Sequence, residues 1–294
     1  MAKLLTLKDL DYKNRRVFLR VDYNVVEHGK ITDEFRVRQS LPTIQQLLNN
    51  GCSIVLASHN GRPEGRVVKE LSLRPIAQLL ANILKTKVSF VDDCIGKESA
   101  EEALGLKPGE ILLLENLRFH EAEEKNNPAF ARTLAGMAEV YVDDAFANAH
   151  RAHASMVGVP KYLPHAAGLL MEHEYDIISH LMNLPHRPYM AIIGGVKISS
   201  KIEVLENLIK KVDILFIGGA MANTFLQAMG YKIGDSITEQ EYVSTAKDLI
   251  SQAHKKGVDL ILPTDVVVAK KPKNGVKHHT VGVSKIQNGD MALD

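Results

Sequence analysis

The stretch RVFLRVDYNV, residues 16–25, joins a short apolar run to a polar loop. Its first six residues predict a β-strand buried on both faces, because they form a nearly continuous apolar and β-branched run. Similar runs follow along the chain: SIVLAS (53–58), KVSFV (87–91), EILLL (110–114), EVYV (139–142), YMAIIGG (189–195), DILFIGG (213–219), DLIL (259–262) and DVVVA (265–269). Amphipathic helical patterns lie between them, as in SLPTIQQLLNNG (40–51) and SKIEVLENLIKKV (200–212). Strands that alternate with helices predict an α/β protein with parallel sheets and crossover helices.

A connection past the middle of the chain divides it in two. MEHEYDIISHLM (171–182) predicts a helix, and NLPHRP (183–188) then places two prolines before the next strand. We therefore expect an N-terminal domain over residues 1–170, a connecting hinge helix over 171–187 and a C-terminal domain over 188–294. The last domain ends at NGDMALD without an evident closing helix, so we expect it to be incomplete.

The composition is that of a globular protein with no strong charge bias. The 294 residues are 45% hydrophobic and 24% charged, with a net charge of +1. This charge gives no indication of a nucleic-acid or membrane-surface partner, and no uncharged run reaches the roughly 18–20 apolar residues of a membrane span. Cys52 and Cys94 form no CxxC pattern, which favours a reducing cytosol, and we expect a cytoplasmic protein.

Basic and other polar side chains follow several of the predicted strands at the point where each strand ends. Because ligands of open parallel sheets bind beyond the carboxyl ends of the strands, these side chains are expected to meet at one rim. The residues concerned are Arg20, Asp22, Asn24, Arg36, His59, Arg62, Arg118, His150, Arg151 and His153. Arginine presents a planar fork to carboxylates and phosphates, so the rim suits a small, multiply charged anion such as a phosphorylated carboxylic acid.

Each of these residues also has an ordinary structural explanation. Arg62 could cap a turn, His59 could be a satisfied core histidine, and Asp22 could fix a backbone turn. HRAHAS (150–155) could hold zinc through its two histidines, but no third ligand is evident. The coincidence of arginines after successive strands favours an anion site instead, with Arg151 as the main residue of HRAHAS.

Two glycine pairs in the second half follow predicted strands and precede predicted helices. AIIGGVKISSKIEVLENL (191–208) and LFIGGAMANTFL (215–226) place at these turns Gly194, Gly195, Lys197, Lys201, Gly218 and Gly219. Glycine lets the backbone approach a ligand, and a helix N-terminus offers free amide donors to phosphate. Two ordinary tight turns remain the alternative, since neither stretch matches the Walker pattern or GxGxxG.

Together these blocks resemble the phosphoglycerate kinase family. The resemblance is carried, in order, by RVFLRVDYNV, ITDEFRVRQSLPTI, SHNGRPEG, LRPIAQLL, LLLENLRFHEAEEKN, VYVDDAFANAHRAHASMVGV, AAGLLMEHEY, AIIGGVKISSKIEVLENL, FIGGAMANTFL and ILPTDVVVA. It implies an α/β fold of two Rossmann-like domains, with parallel sheets flanked by helices and a hinge helix between them. It also implies a 3-phosphoglycerate site in the N-terminal domain and a nucleotide site in the C-terminal domain.

The resemblance assigns roles to individual residues. Substrate binding falls to Asp22, Tyr23, Asn24, Arg36, His59, Asn60, Gly61, Arg62, Arg118 and Arg151, and nucleotide binding to Gly194, Gly195, Lys197, Lys201, Gly218 and Gly219. Arg36 and Lys197 are expected to be catalytic, by stabilising charge on the transferring group. The implied reaction of glycolysis and gluconeogenesis is reversible phosphoryl transfer between ATP and the carboxylate of 3-phosphoglycerate, which gives 1,3-bisphosphoglycerate and ADP. The resemblance further implies Mg²⁺ with the nucleotide and a monomer that closes by hinge bending.

Some features depart from the family pattern. Tyr23, Asn60, Asp143 and Val196 stand where the family has phenylalanine, leucine, asparagine and alanine, and none of these changes removes a charged ligand. We also expect the chain to lack roughly the last quarter of the family's length, including the aspartate near the metal, so no metal ligand is assigned here. Two alternatives are a non-catalytic phospho-anion binder and a phosphosugar isomerase or aldolase with a reactive lysine. The glycine-rich setting of the lysines counts against the latter.

Overall fold

The computed structural model describes residues 4–293. Within this range the chain divides into two compact units, the first ending at Ile178 and the second beginning at Ser179. Each unit has its own sheets and its own hydrophobic clusters. No helix among the described residues is both long and apolar enough to span a membrane. The assignment of one ligand to each domain remains a prediction.

The first unit is built on a large parallel sheet. The strands of this unit are β1 (Arg16–Arg20), β2 (Val26–Glu27), β3 (Lys30–Ile31), β4 (Ser53–Ala57), β5 (Val88–Phe90), β6 (Ile111–Leu113), β7 (Val140–Asp143) and β8 (His165–Ala167). Six of them form one sheet in the order β5-β6-β4-β1-β7-β8, while β2 and β3 pair as a small antiparallel hairpin. The strands predicted from RVFLRV to EVYV are confirmed to within one residue at each end.

The large sheet is buried on both faces because its strands are apolar on both sides. Val17 and Leu19 of β1 lie in one hydrophobic cluster together with Ile54 of β4. Phe18 lies in a second cluster, where its ring centroid is 6.0 Å from that of Tyr141 on β7. Parallel pairing of β1 with β4 and β7 brings the carboxyl ends of these strands to one edge, where the site lies.

Helices connect the strands of the first unit. They are α1 (Phe35–Asn49), α2 (Arg74–Leu84), α3 (Lys97–Gly105), α4 (Glu121–Glu124), α5 (Pro128–Ala135) and α6 (Leu169–Asn183), and the boundary between the units falls within α6. The helix predicted at 40–51 begins earlier, at Phe35, and has Pro42 in its interior. Asp33 accounts for the early start, since its Oδ1 accepts a hydrogen bond from the Phe35 backbone N–H at 2.8 Å. A pattern of apolar residues gives no sign of a helix start that a polar side chain determines.

The second unit contains two separate three-stranded sheets. Its elements are β9 (Met190–Gly194), α7 (Ile202–Ile209), β10 (Ile214–Gly218), α8 (Met221–Ala228), α9 (Val243–Lys255), β11 (Asp259–Ile261), β12 (Asp265–Ala269), β13 (His278–Gly282) and β14 (Met291–Ala292). The order β11-β10-β9 is parallel, as predicted, whereas the order β13-β12-β14 is antiparallel.

The strand at 265–269 corrects the expectation of parallel sheets throughout. β11 ends at Ile261 and β12 begins at Asp265, so the connection is too short for the crossover that a parallel partner requires. β12 instead pairs antiparallel with β13, whose sequence HHTVG gives no apolar run from which it could be predicted.

Candidate functional site

A cavity of about 320 Å³ opens at the carboxyl end of the large sheet. The loops after β1, β4 and β7, the segment after β6 and the first turn of α1 all contribute to it. Its lining residues are Asp22, Asn24, Arg36, His59, Gly61, Arg62, Arg118, Ala147, Asn148 and Arg151. The structure thus brings together all the predicted substrate-binding residues except Tyr23 and Asn60.

A hydrogen bond joins the loop after β1 to the loop after β4, and further contacts order the loop after β1 itself. The Asn24 side chain accepts a hydrogen bond from the Gly61 backbone N–H at 2.8 Å, and Asp22 accepts one from the Asn24 backbone N–H at 3.2 Å. Asp22 also forms an ion pair with Arg36. Position 61 favours glycine, because its φ is +64° and an added Cβ would lie 2.8 Å from the Leu71 side chain. These contacts hold the lining residues in defined positions.

Arg118 is buried without being fully paired. Its side chain is 3% exposed, its Nη1 donates to the Gly61 carbonyl at 2.8 Å, and its Nε lies 3.4 Å from the Glu124 carboxylate. Within the part of the chain that the structure describes, its Nε and Nη2 have no hydrogen-bond partner. Nor do the Arg151 Nε and the Asn148 Nδ2. Buried donors without partners are costly, so this cavity suits an anion with several acceptor oxygens.

His59 and His153 are uncharged at neutral pH. Desolvation, reinforced by Arg20 and Arg118, holds the pKa of His59 well below its usual value, and burial lowers the pKa of His153 to about 4. The Nδ1 of His59 lies 3.2 Å from the Arg20 Nη2. Because a guanidinium can only donate, we assign the His59 proton to Nε2. A neutral imidazole adds a donor to the cavity without adding charge.

The structure gives no support to a zinc site in HRAHAS. His150 is exposed, and the Nδ1 of His153 lies 4.0 Å from the Glu123 carboxylate. In the described range neither histidine belongs to a group of three possible metal ligands. Arg151 lines the anion cavity instead.

Arg20 is the one arginine expected at the rim that the structure buries elsewhere. It is 1% exposed, its Nε donates to the Ser155 Oγ at 2.9 Å, and its other nitrogens contact the Val21 carbonyl and His59. Ser155 in turn donates to the buried Glu123 carboxylate, from its backbone N–H at 2.8 Å and from its Oγ at 2.5 Å. This network holds His59 in place. The role of Glu123 could not be predicted from the sequence, because Glu123 is one of several glutamates in HEAEEKN.

Tyr23 and Asn60, which were expected to bind substrate, have their side chains in the core. Tyr23 is fully buried, and its hydroxyl lies 2.7 Å from the Ser40 Oγ. The Asn60 amide donates to the Val26 carbonyl at 2.8 Å and accepts from the Val26 N–H at 3.2 Å. Each side chain satisfies its polar group locally, which explains why neither lines the cavity.

The two glycine turns of the second unit lie side by side at the ends of β9 and β10. Gly194 pairs with Gly218 in the sheet, and the Met221 N–H donates to the Gly195 carbonyl at 2.9 Å. At Gly219 φ is +67°, and an added Cβ would lie 3.0 Å from the Gly195 backbone. The close approach of the two turns and the positive φ therefore favour glycine at this position.

A second cavity, of about 390 Å³, adjoins one of these turns. It is lined by Gly218 and Gly219 together with Asn223 and mainly apolar residues of α8, β12 and the β11–β12 connection. The other predicted nucleotide-binding residues do not line it: Gly194, Gly195, the exposed Lys197, and Lys201 at the N-cap of α7. A mainly apolar lining suits a flat ring system better than phosphate.

Comparison with known proteins gives the same family along nearly the whole chain. The family model of phosphoglycerate kinase matches residues 7–294. The chain belongs to the phosphoglycerate kinase family. The phosphoglycerate kinase of Moorella thermoacetica is 53% identical over 295 residues, covering 100% of this chain and 75% of the relative. That of Pelotomaculum thermopropionicum is 46% identical with the same coverage. The solved structure of phosphoglycerate kinase from Coxiella burnetii matches with a TM-score of 0.85 and 38% identity, over 99% of this chain and 74% of that one.

The comparisons confirm the α/β fold class and the family predicted from the sequence. The activity of phosphoglycerate kinases is phosphotransfer with a carboxyl group as acceptor, and this chain spans about three quarters of the length of these relatives. The roles of individual residues remain predictions. Asn148 was not predicted, although its place three residues before Arg151 in DDAFANAHRAHAS could have indicated it.

Proposed function

We propose that the chain binds 3-phosphoglycerate in the cavity of the first unit and ATP or ADP at the glycine turns of the second, and transfers a phosphoryl group between them. The observation that carries this proposal is the group of buried, unpartnered N–H donors of Arg118, Arg151 and Asn148 at one cavity. A phosphate or carboxylate supplies several acceptor oxygens to such donors. An apolar or cationic ligand would leave them unpaired.

The cavity residues divide into a buried group and an exposed group. Arg118 and Asn148 are buried and fixed, so they set the position of the anion. Arg62 and Arg36 are exposed, and Arg36 is paired with Asp22, a partner that it can exchange for substrate. His59 adds a neutral donor.

The transfer step needs no general base, because the acceptor carboxylate is already ionised. One carboxylate oxygen attacks the terminal phosphorus of ATP, the bond from that phosphorus to the bridging oxygen breaks, and ADP leaves with the electron pair. Catalysis then depends on alignment of two anions and on stabilisation of the charge on the transferring group. We assign the stabilisation to Arg36 and Lys197, which are both exposed.

Mg²⁺ with the nucleotide is part of the proposal, but the glycine turns do not fit the ion by themselves. Mg²⁺ is held in proteins by carboxylate and phosphate oxygens. Residues 194–201 and 218–223 contain no aspartate or glutamate. We therefore assign no metal ligand among them and derive no step through the ion. A cytoplasmic monomer that closes by hinge bending completes the proposal and follows from family membership.

Two arginines of one loop test the anion site. Arg62 and Arg66 are both exposed, but only Arg62 lines the cavity. A hydrogen bond from a charged group contributes about 1.5–3 kcal/mol, so Arg62→Ala should weaken 3-phosphoglycerate binding by about tenfold to a hundredfold, and Arg66→Ala should not. Isothermal titration calorimetry measures the affinity, and a coupled assay of ADP formation measures transfer.

The outcomes separate the alternatives. Equal losses in both variants would mean that general charge attracts the anion, and the proposed site would be wrong. Binding that depends on Arg62 without ADP formation would support the non-catalytic phospho-anion binder. Binding and ADP formation that both depend on Arg62 support the kinase.

A further inference from the structure

Three side chains of the first unit converge outside the anion cavity. Asp93 and Cys94 follow β5, and His120 follows the 3-10 helix Leu117–Phe119. One ligand atom from each of the three lies within 4.8 Å of the other two. The His120 Nε2 is 2.6 Å from the Asp93 Oδ1. This group, the Asp93–Cys94–His120 cluster, is the one set of three possible metal ligands in the described part of the chain.

The backbone around the cluster is held in place independently of any ligand. The Ser99 hydroxyl donates to the Asp93 carbonyl at 2.8 Å, and Cys94 is 1% exposed within the hydrophobic cluster that includes Phe130. The His120 ring centroid lies 5.6 Å from that of Phe130. A backbone that is fixed before binding loses little conformational entropy when an ion arrives.

The cluster is open to solvent on one side. The Asp93 side chain is 52% exposed and that of His120 is 30% exposed, whereas Cys94 lies beneath them in the core. An ion held between the carboxylate and the imidazole would have the sulfur nearby, because one ligand atom of each residue lies within 4.8 Å of the other two. Burial raises the pKa of the Cys94 thiol, so a Zn²⁺ ion would have to displace the thiol proton when it binds.

The donor set selects the kind of ion. One sulfur, one imidazole nitrogen and one carboxylate oxygen suit a borderline-soft divalent ion such as Zn²⁺, whereas Mg²⁺ takes oxygen ligands. Ligands of tetrahedral Zn²⁺ lie about 3.5 Å apart, given bonds of about 2.0–2.3 Å. Asp93 and His120 would have to separate by about 1 Å, which small side-chain rotations provide.

We propose that Asp93, Cys94 and His120 form a Zn²⁺ site distinct from the substrate cavity. None of the three lines that cavity, but His120 follows Arg118 by two residues. Three protein ligands leave the fourth position to water. Bound Zn²⁺ would replace the hydrogen bond between Asp93 and His120 as the link between the loop after β5 and the segment that carries Arg118.

Cobalt titration of the purified chain tests the site. Co²⁺ occupies Zn²⁺ sites, and its bond to a thiolate gives a near-ultraviolet charge-transfer band that nitrogen and oxygen ligands do not give. We expect this band in the unmodified protein and its loss on addition of Zn²⁺. Changes around a metal cost about 10–100-fold in affinity even outside the ligand set, so Cys94→Ser and His120→Ala should each weaken Zn²⁺ binding at least about tenfold.

Matched controls distinguish this site from other cysteines and histidines. Cys52 is as buried as Cys94, and His165 is an exposed histidine, so Cys52→Ser and His165→Ala should bind Zn²⁺ as the unmodified protein does. Circular dichroism reports whether Cys94→Ser is folded. If it is not, the Zn²⁺ affinity of His120→Ala tests the site. Absence of the charge-transfer band, or its equal loss in Cys52→Ser, overturns the proposal.

Discussion

Replacement of Arg118 by methionine should change the stability of the ligand-free protein little, and far less than the same replacement of Arg20. Arg118 and Arg20 are both nearly fully buried, at 3% and 1% exposed, but only Arg20 has hydrogen-bond partners for all of its nitrogens among the described residues. Methionine fills a similar volume without polar atoms. The two positions therefore form a matched pair in which residue type and burial are constant and hydrogen bonding differs.

The magnitude follows from the contacts of each side chain. Arg118→Met relieves two unpaired donors, at about 1–3 kcal/mol each, and loses one charged hydrogen bond to Gly61, about 1.5–3 kcal/mol. It also loses the contact with the partly exposed Glu124, at most about 1 kcal/mol. The net change centres on a gain of about 1 kcal/mol. Arg20→Met removes the buried hydrogen bonds to Ser155, Val21 and His59 and the larger of the two positive charges that act on the buried Glu123, and it should lose about 3–5 kcal/mol.

Urea unfolding followed by circular dichroism measures the difference, with and without 3-phosphoglycerate. At a hundred times its Kd a ligand stabilises by about 2.7 kcal/mol, so Arg118→Met should lose this increment while its ligand-free midpoint stays level or rises. If Arg118→Met is destabilised as strongly as Arg20→Met, the unpaired donors carry no cost, and the argument for an anion site from Arg118 is refuted.

Three other predictions concern single positions. Lys197→Ala should weaken ADP binding at least about tenfold by calorimetry, because a charged hydrogen bond is lost, whereas Lys210→Ala, at an exposed lysine just after α7, should not. Gly219→Ala should reduce nucleotide affinity and cost about 1–3 kcal/mol more stability than the control Gly230→Ala. Both positions have positive φ, but only at Gly219 does backbone lie within 4 Å of an added Cβ. Burial raises the pKa of Asp144 from 3.8 to about 6, so the folded protein holds this proton more tightly than the unfolded chain and loses stability as the pH rises through that window. Asp144→Asn should remove the share of this loss that comes from Asp144, up to about 3 kcal/mol above the window in unfolding free energy measured across pH. The share of Asp143, whose pKa burial also raises to about 6, should remain.

Much of the fold could be predicted because its physical cause is local. Strands buried on both faces must be apolar along their whole length, so RVFLRV and SIVLAS are visible as runs. The partner of a strand is not local. DVVVA has the same appearance, but the short connection after Ile261 forces it into an antiparallel sheet with a polar strand.

The sequence by itself determined that arginines follow successive strands, that glycines stand where β9 and β10 meet helices, and that the chain resembles one family. These properties depend on residue order and on the fact that parallel strands end at a common edge. Only the tertiary structure decided which of these arginines has its hydrogen bonds satisfied within the protein and which keeps donors for a ligand. Arg20 and Arg118 both lie at strand ends in the sequence, but Ser155 and His59 satisfy Arg20, whereas Arg118 keeps two donors without partners. Hydrogen-bond satisfaction depends on groups distant in the chain that packing brings together, so the sequence pattern contains no record of it.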